Sequence, residues 1–185
     1  MPINDMSRMS RRRFLSGAAQ AAAGLLICSP MVCWGRASRG RYPMTFFHTH
    51  TEECLKIVHT PGRCPRSERR RINRFLRDFR TGDTHPIDPA LLDMICRIQH
   101  AAGSRGTIEV ISGYRSPKTN KTLRKTSSGV AKKSLHMKGR AIDLRITDIP
   151  TVKLRDAARS LRAGGVGYYA DSDFVHLDTG AYRTW

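Results

Sequence analysis

Cysteine is scarce in this chain and badly spaced for chemistry. Its five cysteines include no C-x-x-C pair, which excludes a cysteine-ligated zinc site and a dithiol redox motif. No nucleotide-binding loop, nucleophilic triad or internal repeat is present, which sets aside nucleotide-driven chemistry, triad hydrolysis and repeat architectures. A long unbroken apolar run is also missing. Residues 18 to 34 are Ala-rich but interrupted by Gln20, Gly24, Ser29 and Pro30, which suits the h-region of an export signal better than a permanent transmembrane helix. Acidic side chains are few: 185 residues carry 15 Asp and Glu against 33 Lys and Arg, a formal +18. Such a surface attracts polyanions, nucleic acid in a cytoplasmic setting and the cell wall in an exported one.

Ser10-Arg-Arg-Arg-Phe-Leu15 matches a twin-arginine signal, and Gly35-Arg36-Ala37 puts small residues where a signal peptidase reads. The expected organisation is a leader over 1–37, cleaved or kept as an anchor, and one domain over 38–185, exported to the periplasm with no stable membrane span after processing. That domain is long enough to bury a core without disulfide staples. It keeps 28 basic against 14 acidic residues, so the expected partners are peptidoglycan stem peptides, with their free carboxylates, and anionic envelope polymers. Nucleic acid is not expected. The bland alternative is that the arginines serve solubility alone. Without Cys28 and Cys33 three cysteines remain, of which Cys54 and Cys64 flank a hairpin and can bridge in an oxidising compartment, while Cys96 reads as a buried small hydrophobe.

The chemistry concentrates in Ser134-Leu-His136-Met-Lys-Gly139-Arg-Ala141-Ile-Asp143. Gly139 to Ile146 alternates, with Ile142, Leu144 and Ile146 on one face and Ala141, Asp143 and Arg145 on the other, the period of a half-buried strand. Asp143 therefore projects from the polar face. Gly139 permits a sharp entry, so the loop bearing His136 can fold back over that face. His176 lies in a second alternating run, Phe174 to Asp178, able to pair with the first. Two imidazoles and a carboxylate are a hydrolase's usual zinc ligands, with a fourth position left to water.

These residues resemble the zinc peptidases of the D-Ala-D-Ala carboxypeptidase and hedgehog-like superfamily, whose S-x-H-x-x-G-x-A-x-D pattern and downstream His are present at every fixed position. The resemblance is strongest to the murein endopeptidase branch. It extends over Phe46 to Glu52, Phe75 to Pro89, Ser112-Gly-Tyr-Arg-Ser116 and Gly165 through Gly180. It implies one zinc ion held by His136, Asp143 and His176, with Ser134 and Arg115 binding substrate and the Arg115 guanidinium holding a carboxylate or oxyanion. By likeness to the carboxypeptidase branch, Asp173 is the expected catalytic base. Asp178, on the same strand face as His176, is the other candidate, or a partner orienting that ligand. The implied activity is zinc-dependent cleavage of peptidoglycan cross-links between diaminopimelate residues; the alternatives are a D,D- or L,D-carboxypeptidase and a non-catalytic wall-binding module.

The expected fold is α+β, a small mixed or antiparallel sheet bearing the site and flanked by helices. Its parts are a hairpin over Tyr42–His59 with His48 and His50 on one strand face, helices over Ser67–Arg80, Asp88–Gly103 and Ile149–Ala163, and a strand over Thr107–Tyr114. Ser116-Pro117 begins a short helix, and Lys118 to Lys133 reads as a mobile loop. His85, beside a proline, reads as structural.

Overall fold

A computed structural model describes residues 40–127 and 129–185. The leader expected over 1–37 lies outside the described residues. Among these, no helix is long and apolar enough to cross a membrane.

Seven strands form one mixed sheet in the order β2-β1-β3-β4-β6-β5-β7. Strands β1 (Tyr42–His48) and β2 (Cys54–His59) make an antiparallel hairpin, and β1 pairs in parallel with β3 (Ile108–Ser112). Strands β4 (Ala141–Ile146), β6 (Phe174–Asp178) and β5 (Gly165–Tyr169) continue the sheet antiparallel, and β7 (Arg183–Thr184) adds in parallel to β5. The fold is thus α+β with a mixed sheet, as the pattern implies.

Helices α2 (Pro89–Ala102) and α4 (Thr151–Leu161) pack on each other, α4 also against β4, β5 and β6. Asp88 starts α2 by accepting the Ala90 N–H at 3.0 Å ahead of Pro89, and Gly103 ends it in a left-handed turn. Leu91, Leu92, Ile95 and Ile98 share one core with Ile142, Leu144, Ile146, Val175 and Leu177. Alternation along β4 and β6 leaves Asp143 and His176 on the opposite face.

Four local expectations change. Helix α1 spans Arg66–Phe75 and stops short of Arg80. The buried Asp78 carboxylate accepts the backbone N–H groups of Arg80 and Ser116 at 3.0 and 2.8 Å, which competes with further helix. The segment expected as a loop after Ser116-Pro117 is helical to Thr126: in α3 (Pro117–Thr126) Ser116 caps the Thr119 N–H, and Asn120 reaches the Ala131 carbonyl. His50 lies in the turn after β1, so it shares no strand face with His48; it stacks on Phe79 instead. Cys54 and Cys64 are both free. Cys54 opens β2 and Cys64 follows the Thr60–Arg63 turn beyond the strand's far end, so the length of β2 separates them by more than the roughly 4.4–6.8 Å Cα distance of a disulfide. Cys96 is buried and His85 stacks on Tyr114 at 4.8 Å, both in structural roles.

Candidate metal centre

Three segments meet on the polar face of the sheet. Asp143 stands at the middle of β4, and the register pairs it directly with His176 of β6. His136 comes from a 3-10 turn, Leu135–Lys138, whose start is capped by Ser134 Oγ accepting the His136 N–H at 3.3 Å. Gly139 ends this turn at φ 62, with its α-carbon so close to the Pro86 carbonyl that an added β-carbon would lie 2.2 Å from that oxygen. Only glycine meets both demands, and the tight exit drops His136 onto β4.

The donor atoms form a small triangle. His136 Nε2 lies 3.2 Å from His176 Nδ1 and 3.2 Å from Asp143 Oδ1, and His176 Nδ1 lies 2.8 Å from Asp143 Oδ1. Tetrahedral zinc with bonds of about 2.0–2.1 Å separates its ligands by about 3.3 Å, so these edges suit one face of a metal tetrahedron. The remaining ring nitrogens are assigned by their surroundings. His136 Nδ1 donates to the Gly113 carbonyl at 2.7 Å, and His176 Nε2 sits 3.1 Å from Asp178 Oδ2. His136 thus turns a lone pair towards the triangle, whereas His176 has a carboxylate oxygen at each ring nitrogen and offers its Nδ1 lone pair when Nε2 keeps the proton for Asp178.

Burial and the neighbouring charges act differently on the three donors. Burial pushes the His136 pKa down, which keeps the ring neutral. Burial also opposes charge on Asp143, but His136, His176 and Arg115 outweigh it and hold the carboxyl well below its usual range. At His176 burial is again opposed, here by hydrogen bonds to Asp143 and Asp178, and the net shift is upward. Asp178 is fully buried yet anionic. Against the cost of burial it has His176, both terminal nitrogens of Arg183 at 3.1 and 2.5 Å, and the Gly180 N–H at 2.8 Å.

Arg115 sits at the corner between β3 and α3. Its Nε donates to Ser112 Oγ at 2.9 Å, while Nη2 reaches Asp143 Oδ2 and lies 3.1 Å from His136 Nε2. The guanidinium therefore borders the triangle. A cavity of about 320 Å³ opens over it, lined among others by Arg115, Ser134, Tyr169, Phe174, Arg183 and Trp185. Ser134 is on this wall, with its hydroxyl engaged in holding the His136 turn.

Asp173, the expected base, is not brought to the triangle. It occupies the turn before β6 at φ 48, where its carboxylate accepts the Thr151 hydroxyl at 2.7 Å and faces Arg145 at 3.6 Å. It borders a different cavity with Glu109 and Thr151. An odd spacing of three from His176 puts Asp173 on the other face by strand alternation, and the left-handed turn does not bring it back; among the described residues Asp143 is the only acidic side chain lining the metal-side cavity. Sequence reasoning missed the Gly113 carbonyl, Arg183 and Trp185. The two-residue spacing of Arg183 and Trp185 is the one available signal, because it places them on the same side of an extended segment.

Comparison with known proteins places the chain in a family. Over 182 residues the chain is 42% identical to the Peptidoglycan L,D-endopeptidase MepK of Escherichia coli strain K12, covering 98% of this chain and 100% of that protein. The same values hold for the Shigella flexneri protein of that name. The Probable peptidoglycan L,D-endopeptidase MepK of Haemophilus influenzae is 50% identical over 117 residues, 63% of each chain. A peptidase family model described as Peptidoglycan L,D-endopeptidase MepK matches residues 36–185, and the chain belongs to that family.

Proposed function

We propose that this peptidase is a zinc-dependent murein endopeptidase that cleaves peptide cross-links of peptidoglycan between diaminopimelate residues. The observation that carries the reading is the triangle of His136 Nε2, Asp143 Oδ1 and His176 Nδ1, with edges of 3.2, 3.2 and 2.8 Å beneath an open cavity. The relatives' printed names supply the substrate class.

Bound zinc supplies a water acidified to a pKa of about 7 and a Lewis acid for the scissile carbonyl. The protein's own residues do the rest. Gly113 and Asp178 fix the two imidazoles in their ligating orientation. Arg115, anchored by Ser112, holds a positive charge at the rim, suited to a substrate carboxylate or to the oxygen that becomes negative as the amide is attacked. Ser134 keeps His136 in place. The basic surface concentrates the enzyme at anionic envelope polymers, and the leader directs export through the twin-arginine route to the periplasm.

The test is incubation of the protein, metal-loaded or chelator-treated, with whole peptidoglycan, and mass spectrometry of the released muropeptides beside His136→Ala. Conversion of cross-linked dimers to monomers only in the loaded wild type is the expected result. Loss of a single terminal residue makes it a carboxypeptidase, and wall binding without release makes it a binding module.

A further inference from the structure

The cavity over the triangle has an aromatic wall that the ligand set does not require. Trp185 packs 5.3 Å from the His176 ring, and its Nε1 donates to the Tyr169 hydroxyl at 3.0 Å. Tyr169 in turn stacks on Phe174 at 4.5 Å. Backbone bonds hold Trp185 on both sides, from its N–H to the Val166 carbonyl at 3.3 Å and from the Tyr168 N–H to its carbonyl at 3.1 Å. The indole lies so close over Gly167 that a β-carbon there would come within 2.6 Å of it. Yet Trp185 remains 48% exposed. A large apolar ring pinned at the edge of a polar cavity, half open to solvent, is a surface built to be covered.

We propose that Trp185, with Tyr169 and Phe174, is a substrate-contact subsite that packs against the hydrocarbon chain of the amino acid next to the scissile amide. The subsite rests on the hydrolase reading for its substrate. Its chemistry fits a long side chain whose methylenes lie on the indole while its charged ends remain in solvent or near Arg115. Its role is selection and positioning of substrate, separate from metal retention.

Two variants and one optical measurement test it in the full chain. Trp185→Ala removes the ring, whereas Gly167→Ala keeps it but displaces it. Both should raise KM on a cross-linked muropeptide dimer by about tenfold, the scale of one lost aromatic contact. Metal content and kcat should stay near wild type, and Trp185→Phe should recover most of the loss. The sequence holds two tryptophans, Trp34 and Trp185, so Trp34→Phe leaves Trp185 as the only indole emitter. Its emission should shift as dimer is titrated into chelator-treated protein. An unchanged KM in both variants, or no emission shift at saturating dimer, overturns the subsite. If Trp185→Ala fails to fold, Gly167→Ala and the emission decide. An emission shift in a protein that cleaves nothing refutes the hydrolase reading and leaves the binding subsite standing.

Discussion

Replacing Asp178 by Asn probes how the ligand triangle is held. The carboxylate is completely buried, contacts His176 Nε2 at 3.1 Å and receives both Arg183 nitrogens and the Gly180 N–H. An amide of the same shape keeps one acceptor and presents an NH2 group to a site where every neighbour is a donor. His176 then loses the partner that holds its Nε2 proton, and the tautomer with Nδ1 protonated competes for the ligand position. Substitutions of such partners typically weaken metal binding 10- to 100-fold, or about 1.4–2.7 kcal/mol. Competition against a chromophoric chelator should return a loss in this range. Melting of the metal-free protein separates this from general damage, because the variant's deficit should be larger in the loaded form than in the free one. Affinity within about twofold of wild type, with an equal fall in melting temperature in both forms, would refute the reasoning and reduce Asp178 to a clamp for the turn at Gly180.

Asp173→Asn should leave kcat/KM within about twofold, because that carboxylate faces Thr151 and Arg145 in another cavity; a loss of about 10²-fold or more would restore it as a catalytic base. Gly139→Ala combines a left-handed φ with a β-carbon 2.2 Å from the Pro86 carbonyl. It should cost at least about 1–3 kcal/mol in urea unfolding and release metal by moving His136, and retention of both stability and metal would count against the tight exit. His48 is buried, with Nε2 unpaired among the described residues; burial, then His50 and Arg77, push its pKa down to about 4 against an opposing pull from Glu53. The folded state thus favours the neutral ring, and the unfolded chain binds the extra proton between about pH 6.5 and pH 4. Stability should be full above 6.5 and fall by about 3 kcal/mol as pH drops through that window, with a flatter profile in His48→Leu checked by urea midpoints.

The sequence is most informative where local period decides geometry. Alternation in Ala141–Ile146 is enough to put Asp143 opposite Ile142 and Leu144, and Asp88-Pro89 with Gly103 marks both ends of α2 because caps and proline act within one turn. Legibility fails where a side chain competes with the backbone or a distant segment arrives. Nothing local says that Asp78 will capture the Ser116 N–H, 38 positions away, and halt α1 near Phe75. At Asp173 alternation itself, three residues from His176, points away from the triangle; it is likeness to a carboxylate at that spacing that points towards it, and the left-handed turn there does not reverse the local period. Trp185 reaches the cavity only because β7 returns alongside β5, beside a glycine that leaves it room.

The direct pairing of Asp143 with His176 makes the candidate metal centre a proofreader of its own sheet. If β6 slid by one residue against β4, Val175 or Leu177 would face Asp143, and His176 would be driven into the hydrocarbon layer beneath α4. Such a slip would lose the ligand and bury a polar ring together. A slide by two residues spares the core pattern but sets Phe174 or Asp178 opposite Asp143: the first leaves two donors, and the second replaces an imidazole by a second carboxylate. The apolar layer therefore rejects odd errors, and even ones lose the second imidazole of the triangle. Neither check suffices alone, and the chain that passes both has one register.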